Sequence, residues 1–133
     1  MKKVKVFIEK GADEYSAYMD NTPLSYSCLG TGATVDEAIE DFKASYAEMR
    51  AYYLSVGKKF EEVEIEFRYD VPSFLQEYAY AFTLAGLERI TGVNQKQLGH
   101  YISGYRKPSE KTIRKIEDKI QDFGRQLCAV RFA

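Results

Sequence analysis

Every strand-like alternation in this chain lies before one four-residue break, Asp70-Val71-Pro72-Ser73, and everything after it repeats at helical spacing. The sheet must therefore come from the first half and a helical bundle from the second, which places the chain in the α+β class. The break divides the chain into two expected domains, residues 1–70 and 71–133.

In the first half, Val4, Val6 and Ile8 alternate with Lys3, Lys5 and Glu9, the period of a half-buried strand. Gly11-Ala12-Asp13 is turn material, Tyr15 to Met19 returns as a hairpin partner, and a third strand is expected over Ser25 to Thr31. Thr34 and Glu37 form a Thr-x-x-Glu capping box. The helix it opens carries Val35, Ala38, Ile39, Phe42, Tyr46, Met49, Tyr53 and Val56 on one face, and Gly57 stops it. Val63, Ile65, Phe67 and Tyr69 then alternate with charged residues as a returning strand, so the expected order is β-β-β-α-β. Glu62, Glu64 and Glu66 share one strand face as metal or acid/base carboxylates would, but a solvated face explains them better. At a sheet edge they would also discourage aggregation.

In the second half, Ser73 with Gln76 is the expected cap of a helix burying Phe74, Leu75, Tyr78, Ala79 and Phe82. Thr83 caps the next helix, Leu84 to Thr91. Gly92-Val93 follows, Asn94 caps a third helix that Gly104 ends, and Ser109 caps a last one. That last helix places Thr112, Ile113, Ile116, Ile120, Phe123 and Leu127 on one side.

The 133 residues are 45% apolar and 29% charged, a globular composition with no run of the ~20 apolar residues that a membrane span needs. The start, Met1-Lys2-Lys3, leads into alternation rather than an apolar core, so no signal peptide is expected and the cytoplasm is the expected location. The one histidine and two widely spaced cysteines are too few for a Cys/His zinc site, and Cys28 and Cys128 are expected to be buried thiols. With His100 the only imidazole, and with no phosphate loop or nucleophile–base pair visible, an enzyme is not expected and no cofactor is implied.

A net charge of −1 conceals an asymmetry. Residues 1–72 hold nine basic and fourteen acidic side chains, a net −5; residues 73–133 hold ten and six, a net +4. Between Asn94 and Lys115, six cations face only Glu110. Two surfaces for two kinds of partner fit this split.

Two short helices joined by a glycine-containing turn form a helix-turn-helix. Gly92 permits the positive φ of the turn, Val93 plugs the space between the helices, and Leu98 with Ile102 anchors the second helix. Gln95, Lys96, Gln97 and His100 are then free to face outward. Amide, amine and imidazole tips on a helix lying in the major groove exchange hydrogen bonds with base edges. Asn94 with the helix N-terminus, and Arg106 and Lys107 on the following loop, suit phosphates. The bland alternative is a short bundle with Lys96, Arg106 and Lys107 as surface charge and His100 as a solvated helix residue.

The stretch from Leu84 to Ile120 resembles the helix-turn-helix of the Cro and phage-repressor family, through Gly92-Val93-Asn94-Gln95 and Gly104-x-Arg106-Lys107-Pro108-Ser109. The resemblance places base reading on Gln95, Lys96 and His100, and phosphate contact on Asn94, Gln97, Arg106 and Lys107, with Tyr105 as a further candidate. Glu88 stands where that family usually has a small residue, which implies looser or rotated packing of the two helices.

Over nearly its whole length the chain also looks like the HicB antitoxins. Cys28 to Ala38 matches their Gly-x-Gly-x-Thr-x-x-Glu-Ala pattern, although the longer upstream segment with Asp-x-Pro-Gly is replaced here by Asn21 to Tyr26. The resemblance implies a partial double-stranded-RNA-binding-like domain followed by a DNA-binding module. It further implies a non-enzymatic antitoxin that masks a small basic HicA-type ribonuclease toxin and represses its own operon by binding double-stranded operator DNA. A single helix-turn-helix reads only a few base pairs, so a homodimer or higher oligomer is expected. The alternative is a stand-alone dimeric transcriptional regulator whose N-terminal domain serves dimerisation or ligand sensing, its eleven tyrosines lining a pocket.

Overall fold

A computed structural model describes all of residues 1–133 and shows a mixed α+β chain with a four-stranded sheet and five helices. It divides into two compact units, Met1–Ser73 and Phe74–Ala133.

In the first unit β1 (Lys2–Lys10), β2 (Tyr15–Met19) and β3 (Leu29–Gly32) form an antiparallel meander. Helix α1 (Val35–Ser55) follows, and β4 (Val63–Tyr69) returns parallel to β1, giving the order β3-β2-β1-β4. The alternation of β1 sends Val4, Val6 and Ile8 to the buried face, where Ile8 and Val6 join Ala17, Val35, Ala38 and Phe42 in one core. Burying a side chain such as Phe42 is worth about 1.5–3 kcal/mol. On the other face, Leu29, Tyr18, Phe7 and Arg68 stand side by side across all four strands.

Strand β3 is shorter than expected, because Tyr26 and Cys28 are drawn into the core instead of the ladder. Tyr26 stacks on Phe60 with ring centroids 4.5 Å apart and donates its hydroxyl to the Glu61 carbonyl at 2.6 Å. The Cys28 amide points at the Met19 sulfur, 3.3 Å away. The two glycines of β3 have a packing reason. A Cβ on Gly30 would meet the Ala38 carbonyl oxygen at 2.3 Å, and one on Gly32 would meet the Ala38 nitrogen at 2.7 Å. Only glycine lets the strand ride this close to α1.

Thr34 accepts the Glu37 amide at 3.1 Å, and the Glu37 carboxylate reaches back to the Ala33 amide at 2.9 Å. The helix ends at Ser55, with Val56 exposed rather than part of the buried stripe, and Gly57 at φ 71° turns the chain away. The carboxylates ahead of and on β4 go to separate partners. Glu62 pairs with Arg50 at 3.1 Å, Glu66 pairs with Arg68 at 2.9 Å, and Glu64 is exposed on this edge strand.

Helix α2 (Val71–Glu77) starts before Ser73 and stops before Tyr78, so both expected limits shift. Asp70 accepts the Ser73 amide at 2.9 Å, while the Ser73 hydroxyl accepts the Lys10 amide at 2.8 Å. The residue expected to cap the helix is held by β1 instead.

The second unit continues with α3 (Leu84–Thr91), α4 (Gln95–Ser103) and α5 (Glu110–Ala129). Its buried side chains include Leu75, Leu87, Val93, Leu98, Tyr101 and Ile116. Of the stripe expected on α5, only Ile116 is buried, and Ile113 and Leu127 are exposed. An eight-residue α3 spans about 12 Å and a twenty-residue α5 about 30 Å, so α5 outruns its cover. Cys28 is buried as expected, but Cys128 is exposed in that uncovered last stretch. No helix is long and apolar enough to cross a membrane.

Candidate nucleic-acid interface

The geometry of α3, its turn and α4 follows from a few residues. Thr83 caps α3 by accepting the Gly86 amide at 3.0 Å. The Thr91 hydroxyl, buried in the last turn, donates to the Leu87 carbonyl at 2.7 Å and accepts the Val93 amide at 3.1 Å. Gly92 takes φ 74°, a left-handed conformation that costs other residues about 1–2 kcal/mol, and Val93 is buried immediately after it. Asn94 accepts the Lys96 amide at 2.8 Å and caps α4.

Leu98 and Tyr101 are the buried side of α4, whereas the expected anchor Ile102 is only half-buried. Asn94, Gln95 and Lys96 are exposed. Gln97 and His100 are half-buried and are not free as expected. The Gln97 amide donates to the Tyr101 hydroxyl at 3.0 Å, a bond along the helix between residues four apart. The His100 ring lies 4.9 Å from that of Tyr105, and its Nδ1 is buried without a hydrogen-bond partner.

The loop after α4 folds back over it. Gly104, at φ 80°, ends the helix, and the Arg106 amide donates to the His100 carbonyl at 3.3 Å. Tyr105 is 72% exposed with the Arg106 guanidinium 5.8 Å from its ring centre, and Lys107 is exposed beside them. Ser109 caps α5 by accepting the Thr112 amide at 3.2 Å. Exposed Lys111, Arg114 and Lys115 follow on α5, Arg114 being tied to Glu110 at 3.5 Å.

No family model, curated protein or solved structure matches this chain.

Two further contacts were not legible in the local pattern. The Lys115 ammonium donates to the Gly92 carbonyl at 3.5 Å and so joins α5 to the turn. Glu88, expected to disturb the packing of α3 on α4, bridges them: its carboxylate accepts the Gln95 amide at 2.9 Å. The first two amides of α4 are thus occupied, by Glu88 and by Asn94, and the N-terminus that was expected to hold a phosphate already holds a carboxylate. No group of three or more His, Cys, Asp or Glu side chains is placed to hold a metal ion. An open groove of about 500 Å³ runs between α3 and α5, lined by Arg89, Ile90, Lys119, Asp122 and Phe123 among others.

Proposed function

We propose that this chain is a non-enzymatic antitoxin of the HicB kind that also represses its own operon. On this reading the first unit is a HicB-like, partial double-stranded-RNA-binding-like domain that masks a small basic ribonuclease toxin. The second is a helix-turn-helix bundle that lays α4 in the major groove of operator DNA. The observation that carries the DNA-binding part is the two-sidedness of α4: Leu98 and Tyr101 are buried while Gln95 and Lys96 are exposed in its first turn. Exposed Arg106 and Lys107 on the next loop supply cations for phosphates. The charge split supports two partners, since −5 over residues 1–72 complements a basic toxin and +4 over residues 73–133 complements DNA. Two half-sites, and therefore a symmetric dimer, give such a short reading element useful specificity.

Gel-shift titrations on a duplex selected from a randomised pool test the DNA part. Gln95→Ala and Lys96→Ala should change sequence preference, each lost base contact being worth about 1–3 kcal/mol. Arg106→Ala and Lys107→Ala should weaken binding to every duplex and lower the salt slope by about one unit each. Normal binding by all four variants removes the groove assignment. The antitoxin part is tested by co-expression with a small basic protein encoded beside this gene. Failure both to restore growth and to co-purify leaves only a stand-alone regulator.

A further inference from the structure

Between Tyr78 and Ser109 there is one carboxylate, Glu88, among the cations Arg89, Lys96, Arg106 and Lys107. It pairs with none of them: no ion pair in the protein includes Glu88. Its hydrogen bond goes instead to the Gln95 amide, the first of α4, at 2.9 Å. A helix N-terminus carries positive partial charge and free N–H groups, the position at which a backbone phosphate ordinarily docks. Here a carboxylate of the chain itself occupies that position, next to the two exposed side chains, Gln95 and Lys96, that are proposed to meet base edges.

We infer that Glu88 is a specificity-determining residue. Its charge denies the end of α4 to the phosphate backbone, so that α4 seats firmly only where base contacts add to the loop's phosphate contacts. This inference rests on the DNA-binding reading above and deepens it. Non-specific binding comes almost wholly from phosphate neutralisation, whereas specific binding adds base contacts. On a wrong sequence α4 gains no base contacts and its end meets phosphates alone, so a fixed negative charge there weakens that binding more than binding in which α4 is seated on base edges. Glu88 touches the helix through one carboxylate oxygen, so glutamine can keep the same hydrogen bond while losing the charge.

The test compares full-length wild type, Glu88→Gln and Glu88→Ala on two duplexes, the one selected by the wild type and a scrambled version, across a potassium chloride series. With Glu88→Gln, affinity for the scrambled duplex should rise roughly two- to fivefold, the scale of a charge at a helix end. Affinity for the selected duplex should rise less, and the salt slope should steepen by up to about one phosphate contact. Circular dichroism and thermal melting establish that each variant folds. Glu88→Gln carries the test because it retains the hydrogen bond to Gln95 if Glu88→Ala does not fold. Unchanged scrambled-duplex affinity and unchanged slope in Glu88→Gln overturn the inference while leaving DNA binding intact. A wild type that selects and binds no duplex overturns the DNA-binding reading, and this inference with it.

Discussion

A methyl group on Gly30 would stand 2.3 Å from the Ala38 carbonyl oxygen and 2.4 Å from the Phe42 amide nitrogen, both of them backbone atoms that cannot turn aside. Gly30→Ala should therefore cost about 1–3 kcal/mol, or more if α1 must lift off the sheet. Gly124 lies inside α5 with nothing within 4 Å of its missing Cβ, so Gly124→Ala should gain about 0.5–1 kcal/mol. Urea midpoints that move the same way for both would refute this reading of the two positions. Nothing in the sequence around Gly30 distinguishes a glycine demanded by close approach from one in a turn; the demand comes from α1. Tyr18 is a second residue whose behaviour a distant partner sets. Its hydroxyl donates to the Glu9 carboxylate at 2.7 Å, and this bond, helped by burial, raises its pKa to about 12. The folded chain holds that proton more tightly than the unfolded chain. Its contribution to stability is thus complete below pH ~10 and is lost as pH rises through about 12. Tyr18→Phe should make stability fall less steeply across that window, as read by urea titrations at successive pH values.

Helix boundaries were legible wherever the capping contacts are local. Thr34, Thr83, Asn94 and Ser109 each accept an amide two or three residues ahead, a relation fixed by residue type and spacing. Ser73 had the same local credentials, but the Lys10 amide, 63 positions away, takes its hydroxyl and Asp70 holds the first turn of α2. On α4, Leu98 was legible as an anchor; Tyr101 was not, because leucine and isoleucine four apart look like the better pair. The Gln97 amide rests on the Tyr101 hydroxyl and His100 on the Tyr105 ring, so one expected phosphate contact and one expected base reader are partly engaged in the fold itself. The turn before α4 depends on Gly92 at φ 74°. Gly92→Ala should destabilise the second unit by about 1–2 kcal/mol through backbone strain, since its nearest outside neighbour, the flexible Lys115 side chain, is 3.4 Å from the added Cβ. Denaturant midpoints check it, and an unchanged midpoint would show that the turn has another way to close.

Across the whole molecule, the proposed division of labour requires that each unit be held together from within. Phe42, fully buried in the core of Met1–Ser73, and Leu98, fully buried in Phe74–Ala133, are suitable probes. Truncating either to alanine removes about 2–5 kcal/mol of packing. If the units are energetically separate, Phe42→Ala should speed amide hydrogen exchange in β1, β2 and α1 while leaving α3 to α5 protected, and Leu98→Ala should do the reverse. Loss of protection throughout the chain in either variant would show that the two units open together as one cooperative structure. Separate losses would show that the core around Phe42 and the core around Leu98 each hold without the other, so that a partner bound to one unit stabilises that unit alone.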